Sequence, residues 1–202
     1  SPTMIHARPS LIAALLFALF GLAACATPGD GTDESGWGVE RAPRVTPVAW
    51  YFEVHKEGTV YVFDDPDLYR RFLAGEALPE AMREEIDGRP VVYALKSGDG
   101  LHYPKLPFVA LHQGDEAALA EDFYAEVLWR DKFHVFERWD AVQAFRSGEV
   151  RPPHTITYRN QGPLRATVVF VLDEESIKHT PSPLVERFFR VHRMHGWDVG
   201  NE

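Results

Sequence analysis

The sequence of this 202-residue chain contains an internal repeat, which restricts its fold to one that two similar units can build together. Residues 51–76 align without gaps on residues 124–149, at a constant offset of 73. Nine of the 26 aligned positions are identical, whereas average composition predicts about one or two. The identities are Tyr51/Tyr124, Glu53/Glu126, Val54/Val127, Val62/Val135, Phe63/Phe136, Asp67/Asp140, Phe72/Phe145, Gly75/Gly148 and Glu76/Glu149. The alignment therefore predicts a duplicated folding unit.

The repeat continues after an insertion of four residues in the second copy. Val91–Leu95 aligns on Val168–Leu172 at an offset of 77, and His102 falls on His179 at the same offset. Two copies are too few for an open solenoid, which usually needs three or more repeats to bury a continuous core. We therefore expect two copies that are related by a pseudo-twofold and share one core.

Each copy has the local pattern of a β-β-α-β-β unit. In the first copy, Trp50–His55 and Thr59–Phe63 are rich in β-branched and aromatic residues and predict a hairpin. A helix follows, with an aspartate cap, Pro66 in its first turn and Gly75 at its end. Two more strands come after the helix in each copy, and a last helix is expected from about Pro183 to His195. The predicted fold class is α+β, a mainly antiparallel sheet with helices packed on it.

The N-terminus has the pattern of an export signal. Leu11–Ala24 contains no charged residue and follows Arg8; it is shorter than the roughly 20 residues that a membrane-spanning helix needs. The sequence Leu22-Ala23-Ala24-Cys25 resembles the lipobox of bacterial lipoproteins, and Cys25 is the single cysteine. This resemblance implies that Cys25 is lipidated and that residues 1–24 are removed.

The domain organisation follows from the signal, the repeat and the composition between them. The stretch before the first copy is rich in Gly, Pro, Asp and Ser and predicts a flexible tether. The expected segments are 1–24 signal peptide, 25–46 lipidated cysteine and tether, 47–112 first unit, 113–122 connection, and 123–202 second unit with a C-terminal helix. By resemblance to other lipoproteins, Ala26 after the cysteine implies an outer-membrane location facing the periplasm.

The two copies also carry a family resemblance. The pattern E-V-H-x-x-G-x-V-Y-V-F, then F-x-x-G-E, then V-V-Y-x-L, repeated behind a lipobox, resembles a family of uncharacterised bacterial lipoproteins with tandem copies. The second copy departs from it, with Leu128 in place of the histidine and Asp131 in place of the hairpin glycine. The resemblance implies an architecture and a cell-envelope location, and it supplies no catalytic residue.

Charge and motifs exclude several classes of function. The net charge of -9 argues against nucleic acid as a partner, because nucleic-acid affinity comes largely from Lys and Arg. The chain has no G-x-S-x-G elbow, Walker A motif or dinucleotide fingerprint. We therefore expect a non-enzymatic binding or scaffolding module, attached to the membrane through Cys25 and able to bind an envelope protein.

Histidine pairs support an alternative, a periplasmic protein that binds a divalent metal. His192 and His195 are three residues apart on the expected last helix, and His102 and His179 are equivalent in the two copies. Each pair also has an interpretation without a metal: His192 and His195 as polar residues at a helix end, and His102 and His179 as polar residues of two equivalent loops.

Two further sets of side chains are candidates. Glu53 and Glu126 are equivalent in the first strands, so they form a carboxylate pair for a weaker alternative, a hydrolase, or else lie on a solvent-exposed sheet face. Trp129, Trp139 and Trp197 are candidates for a binding surface, although a core of this size also requires large apolar side chains.

Overall fold

The computed structural model describes residues 48–148, 154–179 and 182–197, which form eight strands and four α-helices. The strands, in chain order, are β1 Val48–Lys56, β2 Thr59–Phe63, β3 Glu80–Ile86, β4 Arg89–Leu95, β5 Asp122–Trp129, β6 Lys132–Phe136, β7 His154–Tyr158 and β8 Thr167–Leu172. The helices are α1 Pro66–Leu73, α2 Pro107–His112, α3 Trp139–Ser147 and α4 Pro183–His192.

All eight strands belong to one sheet, in the order β3-β4-β2-β1-β5-β6-β8-β7. The α+β class is confirmed, and the sheet is mixed, with antiparallel pairs in a narrow majority. Four neighbouring pairs are antiparallel, whereas β1–β5, β2–β4 and β6–β8 are parallel.

The composition of the outer hairpins explains the parallel pairs. The second strand of each outer hairpin is an apolar run, RPVVYAL in β4 and TVVFVL in β8, whereas β3 reads EAMREEI and β7 reads HTITY. An apolar strand is stabilised at an inner position of the sheet, where its surface is covered, whereas a polar strand can remain at the exposed edge. β4 and β8 therefore take the inner positions beside β2 and β6, and each runs in the same direction as its neighbour.

The sheet separates two apolar cores because side chains alternate along each strand. On the side called face A, Phe52 and Val54 of β1 pack with residues of α1 and α4. On face B, the side chain of Tyr51 packs with residues of α2 and α3. The four helices thus cover the sheet in two pairs, α1 with α4 and α2 with α3.

Local turn and cap chemistry agrees with the expected elements. The carboxylate of Asp65 accepts a hydrogen bond from the backbone N–H of Leu68 at 2.7 Å, which caps α1. Gly148 ends α3 with a φ of 73°, a conformation that costs little without a Cβ atom. The last helix is shorter than expected. It ends at His192 because Arg193 adopts a left-handed φ of 54°.

The N-terminal predictions fall outside the described residues. These are the signal peptide 1–24, the lipidated Cys25 and the tether, up to residue 47. Within the ranges 48–148, 154–179 and 182–197, none of the helices has the length and apolar character that crossing a membrane requires.

Candidate ligand-binding cavity

A cavity of about 1070 Å³ opens on face B. Its floor is the sheet, and its walls come from the C-terminal ends of α2 and α3 and from hairpin turns. Apolar side chains that line it are Val60, Ile86, Val91, Trp129, Phe145, Val169 and Val171. Polar and charged side chains that line it include Glu53, His55, Asp87, Arg89, His112, Lys132, His134 and Arg146. This volume is at the upper end of the range of about 300–1,000 Å³ for small-molecule sites.

Helix length explains why the cavity lies on face B. α2 has six residues and ends at His112, whereas α4, which packs on the opposite face, has ten. The additional turn of α4 brings Phe189 and His192 over face A, where Trp197 stacks on Tyr158 at a ring-centroid distance of 4.0 Å. No such turn extends α2, so no helix among the described residues covers the part of face B that lies beyond His112.

A buried carboxylate lies at the inner end of the cavity. The side chain of Glu53 lies on β1, and the residue is 1% exposed. Tyr51 donates its hydroxyl hydrogen to Oε2 of Glu53 at 2.5 Å, and His55 donates from Nε2 to Oε1 at 2.5 Å. Nε of Arg146 lies 3.6 Å from the same Oε2. The side chain therefore has partners on both oxygens despite its burial.

Tyr51 connects Glu53 to His112. Nδ1 of His112 lies 2.7 Å from the Tyr51 hydroxyl oxygen. Because Tyr51 has one hydroxyl hydrogen and donates it to Glu53, Nδ1 must carry the hydrogen of this second bond. Neutral His112 then has a free lone pair on Nε2 as it lines the cavity. The chain His112–Tyr51–Glu53 thus holds one imidazole in a defined tautomer.

The surroundings shift the pKa values of this cluster strongly. Burial acts to raise the pKa of Glu53, but the hydrogen bonds from His55 and Tyr51 and the charge of Arg146 outweigh it and lower this pKa to about 2. Burial, reinforced by Arg146, lowers the pKa of His112 to about 4. Burial and the Glu53 charge raise the pKa of Tyr51 well above 10. At neutral pH the cluster contains a carboxylate, a neutral imidazole and a phenol.

A second buried carboxylate lies on face A with a similar arrangement. Tyr124 donates to Oε1 of Glu126 at 2.5 Å, and Tyr69 donates to Oε2 at 3.0 Å. Nε2 of His192 lies 2.8 Å from Oε2 of Glu126, and Glu126 is 0% exposed. Both clusters contain the sequence Tyr-x-Glu and a histidine from a helix end. The Glu126 cluster is sealed inside the core, whereas the Glu53 cluster borders the cavity.

The histidine pairs expected from the sequence do not converge. His102 follows a 3₁₀ turn after β4, His179 follows one after β8, and both are exposed. Five strand spacings separate β4 from β8, which is roughly 24 Å. His192 is buried against Glu126, whereas His195 lies beyond the end of α4 and is exposed. Neither pair has the geometry of a shared ligand set.

The expected carboxylate pair is also separated. Phe52 is level with Glu126 across the β1–β5 ladder, and Glu53 is level with Val127. Because side chains that are level in a parallel ladder point to the same side, Glu126 belongs to face A and Glu53 to face B. The two carboxylates do not share a cleft, and both are buried, so the interpretation as a solvent-exposed face is wrong.

The three tryptophans have different environments. Trp139 is 4% exposed and belongs to the face B core, so it is not part of a binding surface. Trp197 is partly buried and packs against the core on face A. Trp129 is 38% exposed, lines the cavity and has the guanidinium of Arg130 at 4.3 Å from its ring centroid. Of these three, Trp129 alone lies at the candidate site.

Sequence reasoning did not identify the polar residues around Glu53. The Tyr-x-Glu repeat at positions 51–53 and 124–126 was the available signal, because a tyrosine two residues from a glutamate on a strand lies on the same face. No sequence motif indicates that His112 and Arg146 belong to the site. The helices α2 and α3 bring them to Glu53 from distant parts of the chain.

Comparisons with protein-family models, with curated proteins and with solved structures find no match. Within the part of the chain that the structure describes, no group of three or more His, Cys, Asp or Glu side chains has a geometry suited to a metal ion.

Proposed function

We propose that this chain is a lipid-anchored binding protein of the bacterial cell envelope, and that it binds a small, largely apolar ligand in the cavity on face B. The observation that carries the proposal is the cavity itself, whose lining combines apolar side chains with a set of polar and charged groups. Small-molecule sites have this composition, in which apolar walls provide affinity and a few polar groups fix orientation. Binding without chemistry is the expected role.

The anchor is proposed from the sequence. Cys25 is the only cysteine of the chain, it follows a lipobox-like sequence, and a polar tether separates it from the folded residues. A tether of this composition would let the domain reach a ligand near the membrane surface. Ala26 after the cysteine supports the outer-membrane location facing the periplasm, by resemblance to other lipoproteins.

We also propose that the domain consists of two tandem copies related by a pseudo-twofold along the strands, between β1 and β5. The mirrored strand order supports this arrangement, as does the parallel pairing of the first strands of the two copies. Such an axis would turn one copy over relative to the other, which agrees with α1 and α3 packing on opposite faces. In this view the Glu53 and Glu126 clusters are equivalents, one open and one sealed.

Filling the cavity should abolish binding of an apolar probe. The neutral dye N-phenyl-1-naphthylamine, whose emission rises in apolar surroundings, should bind the folded domain saturably. Val169 lines the cavity on β8, so we expect V169W to weaken dye binding by about tenfold or more, because the indole occupies the ligand volume. Fluorescence titration measures the change.

Arg83→Trp is the matched control. Arg83 is exposed on β3 and pairs with Val92, whose neighbour Val91 lines the cavity, so the alternation of side chains places Arg83 on the opposite face, face A. The control should bind the dye like the unmodified domain. If V169W is folded by circular dichroism and still binds the dye normally, the cavity is not the site. Thr155→Trp, at an exposed position that lines the cavity, is the second blocking variant.

Lipidation can be tested separately. In a bacterial host fed an alkyne-labelled palmitate, the full chain should incorporate the label, and Cys25→Ala should lose it completely because no other cysteine is present. Thr27→Ala, two residues further on, should label normally. Full labelling of the Cys25→Ala chain would contradict the proposed anchor.

A further inference from the structure

Arg146 is a cationic side chain of the cavity whose hydrogen-bonding capacity is only partly used. It lies in the last turn of α3, and its side chain is 30% exposed. The described residues offer it two polar contacts, both long. Nη1 lies 3.4 Å from the backbone oxygen of His112, and Nε lies 3.6 Å from Oε2 of Glu53. Charge-assisted hydrogen bonds from arginine are usually about 2.7–2.9 Å.

Other arginines of the same chain make shorter contacts. Arg70 on α1 donates to the backbone oxygen of Val191 at 2.5 Å. Arg187 on α4 donates to Asp122 at 2.7 and 3.2 Å, with both oxygens engaged. The long contacts of Arg146 therefore distinguish it among arginines of comparable exposure, and its planar guanidinium retains donors for a group in the cavity.

From this geometry we infer that Arg146 binds the acidic group of the ligand, and that the ligand is a carboxylate with an alkyl or similarly apolar body. The inference rests on the proposed function of the cavity and names its ligand class. A guanidinium and a carboxylate match in shape and form two parallel hydrogen bonds. The apolar body would lie against one of two valine pairs, Val60 and Val91 on β2 and β4 or Val169 and Val171 on β8, which the strands β1, β5 and β6 separate.

The charges around the cavity favour an anion despite the acidic chain. Arg89 and Lys132 also line it, against the carboxylates of Glu53 and Asp87. Hydrogen bonds from Tyr51 and His55 engage both oxygens of Glu53, and Arg146 stabilises the same charge without a short contact to it. Asp87 is exposed on the β3–β4 turn, where water screens its charge. Arg89 and Lys132 are exposed like Asp87, so water screens these three charges, and Arg146 remains as the cation beside an internally satisfied carboxylate.

Three probes with alkyl chains of equal length test this inference. Decanoate, decanol and decyltrimethylammonium have the same alkyl length and differ in the charge of one end. Each is titrated against the bound naphthylamine dye at neutral pH, below its micelle concentration. We expect decanoate to displace the dye at a concentration at least tenfold lower than decanol, and the cation to be weakest.

Substitutions at Arg146 assign the preference to this residue. R146Q should weaken decanoate about tenfold or more and change decanol less than twofold. R146K should recover only part of the decanoate affinity, because an ammonium lacks the planar fork. Arg70→Gln is the matched control: Arg70 also donates to a backbone oxygen at the end of a helix, but on face A. It should leave all three probes unchanged.

The outcomes separate this inference from the proposed function. If decanol and decanoate compete equally, or if folded R146Q retains the decanoate preference, the inference fails while the cavity remains a binding site. If neither the dye nor any of the three probes binds, the proposed function fails with it. R146K, which keeps the positive charge beside Glu53, tests the inference even if R146Q does not fold.

Discussion

Replacing Glu126 with alanine is expected to lower the free energy of unfolding by about 3–5 kcal/mol. Glu126 is fully buried and accepts hydrogen bonds from Tyr124 and Tyr69, with His192 also in contact. Without the carboxylate, these three polar groups remain in an apolar core with no partner, and each orphaned group costs about 1–3 kcal/mol. Equilibrium unfolding in urea, followed by circular dichroism, measures the loss.

Glu53→Ala is the matched comparison for this prediction. Its side chain is equally buried and has a similar set of partners, but it lines the cavity. Water that enters the cavity can hydrate Tyr51, His55 and His112 after truncation, so we expect a smaller loss of about 1–3 kcal/mol. An equal or larger loss for Glu53→Ala would contradict the distinction between a sealed and an open cluster.

Acidification from pH 7 to pH 4 should destabilise the domain, with His112 as a main cause. Burial, reinforced by Arg146, lowers the pKa of His112 from 6.5 to about 4 in the folded state. Between these two values the unfolded chain binds the proton and the folded chain does not. Stability therefore falls as the pH drops, by about 1.4 kcal/mol per pH unit and about 3 kcal/mol in total for this residue.

Unfolding in urea at several pH values tests this linkage. His112→Gln removes the titrating group, so its stability should depend on pH less steeply than that of the unmodified domain between pH 6.5 and 4. Burial also lowers the pKa of His134, and this contribution is present in both proteins. His179→Gln, at an exposed position, should leave the dependence unchanged. Parallel pH profiles for His112→Gln and the unmodified domain would contradict the prediction.

Glu53 should add a second loss of stability at lower pH. The pKa of Glu53 is lowered from 4.5 to about 2 in the folded state. Its stabilisation is complete above pH 4.5 and is lost as the pH falls towards 2, because the unfolded carboxylate is protonated first. The cluster thus predicts losses in two successive pH intervals, the first from His112 and the second from Glu53.

Turn and cap residues made much of the secondary structure predictable. The strand β2 has the bounds that the sequence indicated, and an aspartate, Asp65, caps the helix that begins at Pro66. These features depend on hydrogen bonds and backbone preferences among residues a few positions apart, so a short stretch of sequence is enough to predict them. The end of the last helix was misplaced by three residues because a left-handed Arg193 has no distinctive sequence pattern.

The candidate site was less predictable because distant segments assemble it. Glu53 and Arg146 come from the first strand and the third helix, 93 positions apart in the sequence. A glutamate on a strand suits either a solvent face or a buried cluster, and the pattern along β1 does not distinguish them. The partners that allow burial, Tyr51 and His112, lie beside it only after α2 packs on face B.

Interactions among near neighbours are enough to specify the local units of this protein, namely the hairpins, the capped helices and the repeated Tyr-x-Glu segments. The inner positions of β4 and β8, the opposite faces of Glu53 and Glu126, and the cavity beyond α2 arise from the packing of distant segments. These outcomes depend on which surfaces cover each other. In the described part of the chain, the six-residue helix α2 leaves strands uncovered on face B, whereas the ten-residue helix α4 covers strands on face A.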